Sequence, residues 1–160
     1  MPRGMRIISD NSYYHIINRG NQKQKLFLED SDYEEYTGIL KHYKRKFGFR
    51  LLGYCFMPNH VHMLLEPGEP RKLAKFMQCI TQSYTAWFNL KYNKVGHLWQ
   101  GRFKSMIIQK NKYFLDCVYY IETNPVRAGL TSSPADYPWS SYKERAFGKK
   151  DGLLDFPDST

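Results

Sequence analysis

Hydrophobic positions along this chain change their period several times, and each change marks an element. Tyr13-Tyr14-His15-Ile16-Ile17-Asn18 is β-branched and aromatic and predicts a first strand, which Arg19-Gly20-Asn21 ends with turn chemistry. Ser31-Asp32-Tyr33-Glu34 fits a helix-opening capping box. The helix it opens should run to about Lys46, with Tyr36, Ile39, Leu40 and Tyr43 on one face, and stop at Gly48. Phe49 to Met57 reads as a second strand, Pro58-Asn59 as a turn, and His60 to Leu65 as a third strand antiparallel to the second. After the Pro67–Pro70 loop, Lys72 to Tyr92 is the longest helical pattern, with an apolar stripe of Leu73, Phe76, Met77, Ile80, Tyr84, Trp87 and Phe88. Asn93 to Gly101 is polar and predicts a loop, and Phe103 to Gln109 a fourth strand. Asn111 starts a further helix that Pro125 should limit. From Thr131 onward, three prolines and two glycines predict irregular packing and a loose end.

The resulting order is β-α-β-β-α-β-α. Its first six elements match the ferredoxin-like α+β arrangement, an antiparallel sheet with helices on one face, followed here by an additional C-terminal helix. At 160 residues, with no repeat and no linker, the chain reads as one domain over 1–160, its core about 13–130 and its tail 131–160. Hydrophobic residues at 42% supply enough apolar side chain to offset the entropy of ordering, which excludes a wholly disordered chain. No apolar run is long enough to span a bilayer, and the basic start, Met1 to Arg6, leads into polar residues, so the reading is cytoplasmic with no membrane partner. Cys55, Cys79 and Cys117 are odd in number and widely spaced, which suggests neither a disulfide framework nor a thiolate zinc site.

Charge changes the picture. Lys plus Arg is 24 against 15 Asp plus Glu, a net +9, and aromatics reach 16%. Cations follow phosphates and rings stack on bases, so this balance suits single-stranded nucleic acid, although it also suits a domain whose charge only keeps it dispersed.

Candidate chemistry begins at His60-Val61-His62. Residues i and i+2 of a strand share a face, so both imidazoles point one way and can bind a metal if a third group arrives from elsewhere. A bare pair of this kind more often lies on a solvated sheet face. Met63-Leu64-Leu65 follow in place of further ligands, which disfavours a hydrolytic zinc centre and leaves completion by the last helix open. On that helix Phe114, Val118 and Ile121 form an apolar side, while Tyr113, Asp116, Tyr120 and Asn124 form a second line. A tyrosine can act as a covalent nucleophile, though helix phase alone, in a chain with many tyrosines, favours Tyr120 as a packing aromatic. In His97 to Ser105 cations and aromatics interleave, which describes a DNA-contacting loop or, alternatively, core placement of Trp99 and Phe103 with snorkelling charges. Arg127 could hold a phosphate or serve the helix C-terminus. Pro138-Trp139-Ser140-Ser141-Tyr142 reads as a structural motif that packs an indole.

Taken in order, Tyr14-His15-Ile16-Ile17-Asn18-Arg19-Gly20-Asn21, Tyr54 to His62, Gly96 to Ser105, Tyr120 to Gly129 and Tyr137 to Tyr142 resemble the single-tyrosine HUH transposases, specifically the REP-associated tyrosine transposases of the IS200-like group. The likeness runs from about Tyr13 to Tyr142. It implies that His60 and His62 bind a divalent ion, Mg or Mn. It implies that Tyr120 attacks a DNA phosphate, forming a 5′-phosphotyrosine and releasing a 3′-hydroxyl. The substrate it implies is single-stranded DNA that folds into hairpins. Asn124 is the implied third ligand. The insertion-sequence branch carries a glutamine there, so direct ligation by the shorter side chain and a bridging water both stay open. Arg19, Asn21, His97, Trp99, Gln100, Arg102, Lys104 and Arg127 are the implied DNA contacts, and members act as monomers or homodimers. Tyr113 shares the Tyr120 line and is a rival nucleophile, whereas Tyr119 lies about 100° round the helix. The competing expectation is a ferredoxin-like binding module without chemistry, reading RNA or DNA through aromatics on its sheet face, or a domesticated hairpin-binding host factor.

Overall fold

The computed structural model describes residues 8–9, 11–148 and 152–158. The basic stretch from Met1 to Arg6 lies outside the described residues. Four strands, β1 (Ser12–Arg19), β2 (Arg50–Met57), β3 (His60–Glu66) and β4 (Lys104–Gln109), form one antiparallel sheet in the order β2-β3-β1-β4. The intervening helices are α1 (Asp30–Phe47) and α2 (Leu73–Tyr92), and α3 (Phe114–Glu122) follows β4. This is the α+β ferredoxin-like order expected from the pattern, with the additional helix after it.

Strand alternation divides the core in two. Tyr14 and Ile16 of β1, Leu51, Tyr54 and Phe56 of β2, and Val61, Met63 and Leu65 of β3 face α1 and α2. There they pack on Tyr36, Leu40, Phe76, Ile80, Tyr84 and Phe88. The opposite face carries a second cluster, in which Tyr13, Cys55, Met57 and Leu64 meet Cys117, Val118 and Ile121 of α3. Among the described residues, the strand aromatics Tyr13, Tyr14, Tyr54 and Phe56 are therefore buried.

Three local features differ from the sequence reading. The capping box at α1 is Glu29 with Asp32: the Asp32 carboxylate accepts from the Glu29 backbone N–H at 3.2 Å and from that of Leu28 at 2.8 Å. The Lys91 ammonium reinforces this cap, 2.6 Å from Asp32 Oδ1 and 2.5 Å from Glu29 Oε1. The last helix starts at Phe114 rather than Asn111, which has φ +69°, and it breaks at Thr123. Asn124 then opens a separate turn, α4 (Asn124–Arg127), with Pro125 at its start, where the missing N–H costs nothing.

The described residues of the tail, 131–148 and 152–158, pack against the sheet, and the expected loose end at residues 159–160 lies outside the described residues. The tail contains a 3₁₀ turn at Pro134–Asp136 and α5 (Tyr142–Phe147), and it runs along the outer edge of β2. The Phe56 N–H donates to the Trp139 carbonyl (2.8 Å), the Ser141 N–H to that of Tyr54 (3.0 Å) and the Asp155 N–H to that of Leu51 (2.7 Å). The Trp139 ring stacks on Tyr33 at 4.6 Å, and Leu153 and Leu154 are buried. Among the described residues no helix is long and apolar enough to cross a membrane.

Candidate active site

The β1–β3 register sets Arg19 opposite His60 and Ile17 opposite His62, so His15, Ile17 and Arg19 share the face of the two histidines. That is the face on which α3 docks through Cys117, Val118 and Ile121. Docking turns Tyr120 toward the sheet edge-on, its ring 6.0 Å from those of both His62 and His15. The phenol stays half-exposed at 48% and so remains reachable by a ligand. The break at Thr123 swings Asn124 inward, and its amide nitrogen lies 2.8 Å from His62 Nε2. Tyr120, His60, His62 and Asn124 thus converge on one spot.

The rivals do not join them. Tyr113 is the cap residue ahead of α3 and carries the Lys112 ammonium 5.1 Å from its ring centroid. Tyr119 is 71% exposed on the far side of the helix.

Burial keeps the imidazoles neutral. Desolvation pushes His15 down to about 4. His62 falls to about 3, through burial first and then the neighbouring His60, His15, Arg19 and Arg127. His60 is lowered by burial and then by Arg19. Neutral imidazoles hold free lone pairs at neutral pH, as a metal ligand must. The His60 ring lies 5.0 Å from that of His62, and its Nδ1 is 2.8 Å from Asn59 Oδ1, so its Nε2 is turned away from that partner. Among the described residues no cluster of three or more His, Cys, Asp or Glu is placed to hold a metal ion.

The expected DNA contacts fall into two groups. Residues 98–100 run beside the end of β1, where the Asn21 N–H donates to the Leu98 carbonyl and the Gln100 N–H to the Arg19 carbonyl, both at 2.8 Å. This pairing gathers Asn21, His97, Trp99 and Arg102 around a cavity of about 750 Å³. The α2 residues Thr81, Gln82 and Thr85 form its other wall, which sequence reading missed. Their polar positions on a helix facing a basic loop were the available signal. An adjoining cavity of about 450 Å³ is lined by Asn18, Gln78, Thr81, Trp99 and Arg102 among others. Trp99 is buried against Tyr36 and Tyr84, while Gln100, Arg102 and Lys104 are exposed. Arg127 joins the tyrosine instead, with its guanidinium carbon 4.2 Å from the Tyr120 ring centroid.

A second missed element anchors α3. Glu122, 4% exposed, accepts from the Ser141 hydroxyl and from Arg145 Nε at 3.0 Å, tying α3 to the tail.

A four-stranded antiparallel sheet with a His-x-His strand under a tyrosine-bearing helix is the class of molecule that these features define. The profile of the family "Transposase IS200 like" matches residues 8–124, and the chain belongs to that family. Family membership makes it a DNA-cleaving enzyme by class. It is 24% identical over 137 residues to the REP-associated tyrosine transposase of Escherichia coli K12, a match covering 84% of this chain and 78% of that one. A Haemophilus influenzae relative assigned to the same transposase type is 27% identical over 142 residues, 81% of this chain and 78% of its own. In fold the chain is similar to a solved REP-associated tyrosine transposase bound to a REP hairpin. That match has a TM-score of 0.78 at 19% identity and covers 99% of this chain and all of that one.

Proposed function

We propose that this protein cleaves and rejoins single-stranded DNA beside hairpins through a covalent bond to Tyr120. The observation that carries the reading is the convergence of a half-exposed phenol, two neutral imidazoles and an amide on one spot. The Tyr120 oxygen forms a bond to the scissile phosphorus as the bond to the 3′ oxygen breaks. The phenol gives up its proton, and the departing 3′ oxygen takes one up. The product is a 5′-phosphotyrosine and a free 3′-hydroxyl. Attack by a 3′-hydroxyl on that linkage reverses the bonding and frees the tyrosine, so no external energy source is needed.

His60 and His62, with Asn124 directly or through a water, would hold a divalent Mg or Mn. When bound, the ion supplies polarisation of the phosphate oxygen and stabilises charge on the leaving oxygen. The remaining residues place the strand. Arg127 lies beside Tyr120. The cavities walled by Asn21, His97, Arg102 and α2 carry cations and amides, with no carboxylate in either lining. They suit a sugar-phosphate chain with splayed bases, with Arg19, Gln100 and Lys104 at the rim and Trp99 forming the floor. A REP hairpin is the ligand in the similar solved structure, and hairpin DNA is the substrate proposed here.

The test mixes the protein with labelled hairpin DNA from its own flanking genome, with Mn²⁺ or with chelator. A covalent protein–DNA species should appear on denaturing gels with the metal and vanish in Tyr120→Phe. An adduct that persists in Tyr120→Phe removes Tyr120 from the role. Tight binding without any adduct, on DNA shown to hold the target site, moves the protein to the binding-module class.

A further inference from the structure

We infer that His15 is a positioning residue of this site: it accepts the Nδ1 proton of His62, and so holds His62 in the tautomer whose Nε2 lone pair faces the metal position. The inference rests on the metal reading above and deepens it.

The register makes the contact possible. Ile17 stands opposite His62, so His15 is a diagonal neighbour on the same face, a separation that two rings can bridge. They do so: His15 Nε2 lies 3.0 Å from His62 Nδ1, and the rings stack at 5.3 Å with 30° between planes. Both residues are 3% exposed, so bulk water does not compete for either nitrogen.

Hydrogen-bond chemistry then sets the direction. A nitrogen that ligates a metal cannot carry a proton, so a His62 that binds through Nε2 is protonated on Nδ1 and must donate from there. The nitrogen placed to receive that proton is His15 Nε2. The same orientation follows on the other side of the ring, where the Asn124 amide nitrogen faces His62 Nε2 as donor to lone pair at 2.8 Å. The neighbouring ligand repeats the device, with Asn59 Oδ1 accepting from His60 Nδ1 at 2.8 Å. His15 also meets Tyr120 edge-on at 6.0 Å, the same separation that His62 keeps, so one ring braces both a ligand and the nucleophile.

Two measurements test this. Long-range imidazole ¹H–¹⁵N correlation on the unaltered, metal-free protein should show His62 protonated at Nδ1. Finding the proton at Nε2 would overturn the inference. Titration of Mn²⁺ by calorimetry should show His15→Phe, which keeps a ring and loses the acceptor, binding roughly 10- to 100-fold more weakly, with His15→Gln recovering part of the loss. Equal Mn²⁺ affinity in wild type and His15→Phe would overturn it while leaving the metal site standing. Absence of Mn²⁺ binding by the wild-type protein would instead remove the metal reading itself, and this inference with it. A purely structural His15 would lower Tm in both variants and leave Mn²⁺ affinity unchanged, which overturns the inference. The tautomer is read on the unaltered chain, so it decides the matter even if the Phe variant does not fold.

Discussion

The Arg127 guanidinium lies over the Tyr120 ring, its carbon 4.2 Å from the centroid, while its nitrogens donate to the Tyr120 carbonyl and the Thr123 hydroxyl. One side chain thereby spans the break between α3 and α4 and fixes the ring that should attack. A planar guanidinium can stack and donate in two directions at once, which an ammonium cannot reproduce. Arg127→Lys should slow adduct formation roughly tenfold, the loss expected of one cation–ring contact and its paired hydrogen bonds. Single-turnover rates on hairpin DNA check this.

Asn124 is held at His62 by the turn that Pro125 begins. Asn124→Ala should weaken Mn²⁺ binding and slow the adduct by roughly tenfold each. Asn124→Gln, which restores reach by one methylene, should lose less. Calorimetry with Mn²⁺ and the gel assay read the two effects separately.

Chelation should stop the chemistry and spare the fold. Both apolar clusters form without His60 and His62, so little of the stability should run through a bound ion. EDTA should abolish the adduct while moving Tm by no more than about 3 °C. A larger fall would show that the ion is structural.

Burial alone raises the pKa of Asp32, but hydrogen bonds from Lys91, Tyr92 and the Leu28 and Glu29 backbone outweigh it, and the net shift is downward. A carboxyl depressed in the fold contributes stability that is present above its unfolded pKa of about 3.9 and is lost as pH falls through its lower folded value. The urea midpoint of the wild type should therefore fall steeply below about pH 4. Asp32→Asn should start lower at neutral pH and lose less over that window.

Glu122 is buried and paired with Arg145 across the junction of α3 and the tail. Glu122→Ala strands the guanidinium and the Ser141 hydroxyl, and should cost about 3 kcal/mol. That corresponds to roughly 10 °C in Tm for a chain of this length, measurable by calorimetry. Loosening α3 should also slow the adduct on intact hairpin DNA.

Strand order and the two long helices were legible because their periods are long and unbroken: the stripe from Leu73 to Phe88 and the pairing of His60 with His62 needed no partner to be seen. What escaped depends on contacts remote in sequence. His15 meets His62 only once Ile17 is set against His62, and no local spacing encodes that register. Ser31 and Glu34 share their spacing with Glu29 and Asp32, and the Lys91 contacts that reinforce the second pair come from some sixty residues on. Asn124 follows Tyr120 at helical spacing, but Thr123 breaks the helix and the amide arrives from a new turn. The tail carried prolines and glycines that read as irregular, while its anchors, Trp139, Ser141 and Leu153, are too few and too scattered to show a period.

The strip of tail along β2 has a consequence for handling the molecule. Seven of the eight residues of β2 are buried, and the tail occupies main-chain groups of Leu51, Tyr54 and Phe56 on its outer edge. Stripped of that cover, β2 would present a long apolar strand with open hydrogen-bonding groups, the template on which chains stack into aggregates. A nick in the exposed segment at residues 128–130 would free it. Shortened versions of this protein should therefore be recovered as inclusion bodies rather than as inactive but well-behaved chains, and losing the tail would be felt first as precipitation.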